Sequence, residues 1–182
     1  MNRLQGGEGR RLAGLYGRNG GRGLIYDTAK ITPQTALELA EEAWIGDFVF
    51  VNLEKLTLGT GSQICAFASL TGGGKVHVGA YSVVGYGVRI IAGTDTPEGA
   101  YMADKAPVEE RRIVRGIVKI GNNCFIGANS VICVSHRSPE IAIGDNAVIG
   151  ALSYVDKSVP KNTIGWGSPF KVNKKRKAKK TL

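Results

Sequence analysis

The chain has 182 residues, of which 43% are apolar, 21% charged and 26 are glycine, and it carries a formal net charge of +9. That length accommodates one domain with a short appendage, and the composition excludes both a disordered acidic chain and two independent catalytic domains. No apolar run approaches the roughly 20 residues of a membrane span, and no secretory leader pattern opens the chain, so a cytoplasmic protein is expected.

In chain order, residues 1–23 come first, with five arginines, one glutamate and many glycines, and read as an arm outside the fold. Residues 24–44 are ambiguous. Thr35 followed by Glu38 resembles a capping box for a short helix, whereas Ile31, Leu39 and Ile45 fit irregular coils of the structure that follows; coils are expected. From residue 45 onward a period of six takes over, clearest at IGNNCF-IGANSV (120–131) and IGDNAV-IGALSY (143–154), with further hexads at 45–50, 58–69 and 78–89. A helix would repeat at 3.6 and a half-buried strand at 2 without restarting, so neither explains it. A short strand and a turn do. Ile120 with Cys124, Ile126 with Ser130, Ile143 with Ala147 and Ile149 with Ser153 then point inward, the second-place glycine permits the bend, and the coils stack into a parallel β prism.

Two stretches break the period. Residues 95–116, with two prolines and dense charge, form a long excursion of the kind that is usually functional, and residues 134–142 form a shorter interruption. The body, residues 24–170, sums to −2, so the basic charge belongs to the two ends, the second being a tail of six lysines and one arginine over 171–182. The tail lacks interleaved aromatic residues, and a nucleic-acid partner is not expected. The three cysteines, Cys65, Cys124 and Cys133, show no CxxC spacing and predict free thiols rather than a disulfide framework or a zinc site.

The tandem hexads, closing in IGALSYVDKSVPKNTIGWGSPFK, resemble the hexapeptide-repeat acyltransferases over residues 45–174. The stretch from Ile64 to Gly99, with Gly116 to Ile132, is further similar to the galactoside/maltose acetyltransferase type and to enzymes that acetylate sugars and nucleotide-sugars for surface polysaccharides. The resemblance implies an all-β, left-handed parallel β-helix, a homotrimer with active sites between subunits, acetyl-CoA as co-substrate and a sugar hydroxyl or amine as acceptor. The outward aromatics Phe48, Phe50, Tyr81 and Tyr86 suit such an interface. No metal is expected, since the zinc enzymes that share this fold need three histidines and the chain has two.

Acyl transfer requires a base for the acceptor's proton. In the similar galactoside and maltose enzymes this is a histidine at the mouth of the long loop, where this chain reads Ala92-Gly93-Thr94-Asp95-Thr96. Asp95 is therefore the first candidate and His77, pointing outward from the prism, the second; His136 lies in the 134–142 interruption. By position, the resemblance assigns CoA contacts to Phe125, Ala128, Ala151, Asp156, Lys157, Lys171 and Lys174, the lysines serving its phosphates. The absent loop histidine leaves a second reading open, a trimeric scaffold of little or no catalytic activity.

Overall fold

A computed structural model describes residues 23–177. The arm, apart from Gly23, and the tail beyond residue 177 lie outside the described residues. The described chain winds into seven stacked coils, the last incomplete. Coil 1 carries β1 (Leu24–Ile25), β2 (Lys30–Ile31) and β3 (Ala36–Leu39), and coil 2 carries β4 (Trp44–Ile45), β5 (Phe50–Val51) and β6 (Lys55–Leu58). Coil 3 follows with β7 (Gln63–Ile64), β8 (Ser69–Thr71) and β9 (Lys75–Val78). Coil 4 has β10 (Val83–Val84) and β11 (Arg89–Ile91), leaves the prism through β12 (Gly93–Asp95) and β13 (Ile113–Arg115), and returns as β14 (Ile117–Ile120). Coil 5 has β15 (Phe125–Ile126), β16 (Val131–Cys133) and β17 (Glu140–Ile143); coil 6 has β18 (Val148–Ile149), β19 (Tyr154–Val155) and a bridge at Val159. Strand β20 (Thr163–Trp166) opens coil 7, and β21 (Lys171–Lys175) runs back along it antiparallel.

Parallel pairing of equivalent strands builds three flat faces: β1-β4-β7-β10-β15-β18-β20, then β2-β5-β8-β11-β16-β19, then β3-β6-β9-β14-β17. Residues 24–44 are a regular first coil, with no helix. Thr35 caps nothing; its Oγ1 donates to the Leu53 carbonyl at 2.9 Å and accepts the Leu53 N–H at 3.1 Å, stitching coil 1 to coil 2. Among the described residues there is no α-helix, hence none long and apolar enough to cross a membrane.

All four inward pairs expected from the hexads are buried. The core is a column of aliphatic side chains, one rank per coil, in which Leu70, Ile90, Ile132 and Val155 stand directly over one another. Two of the inward serines bond the neighbouring coil, Ser82 donating to the Gly121 carbonyl at 2.7 Å and Ser130 to that of Gly150 at 2.9 Å, whereas the buried Ser62 hydroxyl has no partner among the described residues. These bonds remove the penalty of burying a polar group.

The second-place glycine does not supply the bend. Gly79 and Gly127 have ordinary negative φ, but a Cβ on them would lie 2.5 Å from the Gly121 carbonyl carbon and 2.4 Å from the Ala151 nitrogen. Glycine is needed there because the next coil's backbone occupies the space. The left-handed turn falls two residues later, at Phe48, Phe67, Asn129 and Leu152 on one edge and at Asn123, Asn146 and Asn162 on another. Asparagine tolerates that backbone better than most residues. On the latter edge it also forms a ladder, Asn123 Nδ2 donating to Asn146 Oδ1 at 2.8 Å and Asn146 Nδ2 to Asn162 Oδ1 at 2.9 Å. The tail closes this edge: Arg176 Nη1 donates to the carbonyl of Asn123 at 2.8 Å, and its N–H to that of Asn162 at 2.8 Å. The first residues of the tail are thus built into the fold.

Asn146 and Asn129 share the left-handed backbone, at φ 60° and 57°, but only Asn146 has ladder bonds. Asn146→Ala is expected to destabilise the protein by about 1 kcal/mol more than Asn129→Ala in urea unfolding, the net worth of one to two such bonds. Equal losses would show that the turn geometry alone matters.

Candidate active site

The site begins with a place where side chains are missing. At the edge between the second and third faces, coil 3 turns through Thr71-Gly72-Gly73-Gly74, with Gly72 and Gly73 at φ 96° and 67°. A Cβ on Gly72 would lie 2.2 Å from the Gly93 carbonyl oxygen, so only bare backbone fits between coils 3 and 4. Directly above, β12 and β13 pair antiparallel, Gly93 with Arg115 and Asp95 with Ile113, and lift the excursion away from the prism as a hairpin. Thr96 N–H to Arg112 carbonyl and Ala100 N–H to Glu110 carbonyl, both 2.9 Å, extend its stem. Between stem and prism lies a cleft of about 680 Å³, lined among others by Asn52, Glu54, Gly73, Asp95, Arg111 and Arg115.

Asp95 lies in this cleft and is held. Arg111 Nε donates to Oδ1 at 3.1 Å and Nη2 to Oδ2 at 2.6 Å, while Nη2 also donates to Asp104 Oδ1 at 2.9 Å. Hydrogen bonding to Asp95 outweighs the desolvation of the guanidinium and raises Arg111 above its ordinary value. Arg115 Nη1 donates to the Gly72 carbonyl at 2.7 Å, and Glu54 pairs with Lys75 at 3.1 Å.

The histidines stand elsewhere. His77 is exposed on the third face, between Thr57 and Lys119 in register, and does not line the cleft. That face is charged, with the pairs Glu38–Lys55 at 2.9 Å and Glu140–Lys119 at 2.5 Å. His136 Nε2 is 3.0 Å from Arg112 Nη2; a guanidinium only donates, so the ring nitrogen's lone pair is occupied. No thiol lines the cleft either. Burial pushes Cys65, Cys124 and Cys133 above the ordinary thiol value, away from the thiolate. No group of three or more potential metal ligands occurs among the described residues.

The residues assigned to CoA fall mostly on a different edge. Ala128 and Ala151 occupy successive turns between the first and second faces, each one residue past the Gly127–Gly150 rank on which Trp166, paired with Lys171, stacks. Neither alanine's N–H meets an acceptor among the described residues. On the adjoining first face, Phe125, Val148, Ile164 and Lys174 form one outward row by register. The free amide donors of Ala128 and Ala151, with Lys171, Lys174 and Phe125 on neighbouring positions, suit the pantetheine arm and phosphates of a CoA thioester. Asp156 and Lys157 are apart from this set, on the cleft's edge two coils above the hairpin stem.

Arg111, Arg115 and the bare floor were not evident from the repeat or the motifs. Their signals were the glycine run at 72–74 and the arginines where the excursion returns. Recognising them required the hairpin register, which places Arg111 diagonally across from Asp95.

Comparison with known proteins agrees with this geometry. Residues 117–157 match the family model "Hexapeptide repeat of succinyl-transferase". The chain is 31% identical over 118 residues to a dTDP-4-amino-4,6-dideoxy-D-glucose acyltransferase of Escherichia coli, an alignment covering 64% of this chain and 59% of that protein. It is 27% identical over 167 residues to the putative colanic acid biosynthesis acetyltransferase WcaF of Escherichia coli K12, covering 91% of this chain and 73% of WcaF. Among solved structures it superposes on the N-acyltransferase AntD of Bacillus cereus, in complex with dTDP-4-amino-4,6-dideoxyglucose and coenzyme A, with a TM-score of 0.76 at 27% identity, covering 86% of this chain and 81% of AntD. The stacked hexapeptide coils and these relatives together show that the chain is similar to hexapeptide-repeat acyltransferases.

Proposed function

We propose that the protein transfers an acetyl or similarly short acyl group from acyl-CoA to the amine of a nucleotide-linked sugar, as a cytoplasmic homotrimer. The observation that carries this reading is the cleft's chemistry: its titratable side chains are carboxylates and arginines, and no imidazole lines it. A sugar hydroxyl, whose pKa lies far above 7, needs a strong base to become a nucleophile, whereas a neutral amine attacks unaided and needs chiefly to be aimed. The Escherichia coli acyltransferase, named for an amino sugar, and the N-acyltransferase AntD, seen in complex with one, support the same choice.

Bound acyl-CoA supplies the thioester carbonyl. The N–H groups of Ala128 and Ala151 bind the pantetheine amides, Lys171 and Lys174 the phosphates, and Phe125 packs beside them. Asp95 accepts a hydrogen bond from the acceptor amine and aims its lone pair; Arg115 provides the cation that a sugar diphosphate calls for. As the nitrogen–carbon bond forms and the carbon–sulfur bond breaks, the departing thiolate takes the proton that the nitrogen loses. Asp156 and Lys157, on the cleft's edge, border the path between the two ligands.

Within one prism the cleft and the CoA edge lie on different edges. Only a second copy brings one subunit's cleft against its neighbour's alanine edge, and threefold rotation repeats that contact until it closes. The outward row Trp44, Gln63, Val83, Phe125, Val148 and Ile164, apolar except for Gln63, supplies surface for it, unlike the charged third face.

Three outcomes follow. Light scattering should give three times the 19.3 kDa chain mass; a monomer refutes the shared site. Calorimetry should show acetyl-CoA binding that Lys171→Gln with Lys174→Gln weakens about tenfold or more, and absence of binding at millimolar concentration would leave the scaffold reading. Asp95→Asn should lower kcat about 10²-fold with the Kd for acetyl-CoA unchanged, while His77→Ala and His136→Ala stay within about threefold of wild type. A large loss in His77→Ala instead would make that histidine the base and the acceptor a hydroxyl.

A further inference from the structure

Arg111 stands where the hairpin stem, the excursion's tip and the cleft meet. Its side chain is 6% exposed and that of Asp95 15%, whereas that of Asp104 is 93% exposed. Surface ion pairs of long side chains contribute little, but the Asp95 pair is a two-point contact shielded from solvent. The antiparallel ladder fixes the backbone of Asp95 opposite Ile113 and leaves its carboxylate free to rotate. Arg111, two residues before Ile113, reaches diagonally across the stem and engages both oxygens, at 3.1 and 2.6 Å. A carboxylate oxygen has two lone pairs, so each keeps one for another donor. The same Nη2 reaches Asp104, in the middle of the excursion.

We propose that Arg111 is a positioning residue: it fixes the plane of the Asp95 carboxylate so that the free lone pairs meet the acceptor amine, and through Asp104 it ties the excursion's tip to the cleft wall. This rests on the reading of Asp95 given above. Charge alone does not do this. A lysine at 111 keeps the cation but has no planar fork, and so cannot hold both oxygens of Asp95 and reach Asp104 from one head group.

The experiment uses the full chain, with acetyl-CoA and dTDP-4-amino-4,6-dideoxyglucose as the probe acceptor, following release of the CoA thiol and, separately, amide hydrogen exchange over residues 96–112. Arg111→Lys is expected to lower kcat tenfold or more while the Kd for acetyl-CoA and the melting temperature stay near wild type. Asp104→Asn is expected to raise the acceptor KM more than it lowers kcat. In both variants the amides of Thr96 and Ala100, which close the stem, should exchange faster. Wild-type kcat in Arg111→Lys, or loss of acetyl-CoA binding and melting temperature in step with kcat, overturns the proposal. The exchange readout needs no turnover, and unchanged protection in Arg111→Lys overturns the tether by itself. Asp95→Asn separates the two levels: if it is silent, the reading of Asp95 fails and this inference with it; if it is disabling while Arg111→Lys is silent, only this inference fails.

Discussion

The structure depends on placing one coil directly on the next, with parallel ladders setting neighbouring strands about 4.8 Å apart. At a corner, that spacing leaves no room for a side chain aimed along the stack. A Cβ on Gly74 would lie 2.0 Å from the Ala92 carbonyl oxygen, and one on Gly144 2.5 Å from the Lys161 nitrogen. The composition follows from this steric limit. Glycine or alanine stands where backbones touch, aliphatic residues fill the column between faces, and the inward Ser82 and Ser130 bond across coils. Left-handed corners complete the pattern, and asparagine at three of them makes its own ladder.

Stacking also turns each position of the repeat into a row, so every face acquires its own character. The first face carries an apolar row ending in lysine, and the third carries lysine–glutamate pairs. In one of these pairs Lys55 holds the Glu38 carboxyl below its ordinary range, chiefly by hydrogen bonding. These pairs are solvent-exposed and contribute little to stability; their effect is to keep this face wet while the first remains free to bury itself. A prism of this kind has no concavity, because its interior is filled and its faces are flat. The cleft described above lies where the chain departs from the repeat at length, at the corner after β11.

The chemistry of that departure follows from what it brings together. The hairpin stem covers a glycine floor, and the arginines on its return strand meet the aspartate on its outgoing strand. The cleft consequently contains anions already matched by cations, an environment that holds polar groups in fixed orientation.

The repeat was legible from the sequence because it is local. Six residues suffice to encode a strand, a close approach and a turn, and Ile120 with Cys124 or Ile149 with Ser153 could be assigned inward from alternation alone. The same reasoning located the excursion and put Asp95 at its start. It misassigned the second-place glycine, whose role depends on the neighbouring coil rather than on its own backbone. It left 24–44 ambiguous because coil 1 is identified by what stacks on it. The Asp95–Arg111 pair, the Arg115–Gly72 contact, and the placing of Ala128 and Ala151 on a different edge from the cleft were decided only by tertiary structure. Their partners lie 16 to 43 residues apart along the chain, and which of them meet depends on the corner at which each coil turns, a property of the stack that no six-residue window contains.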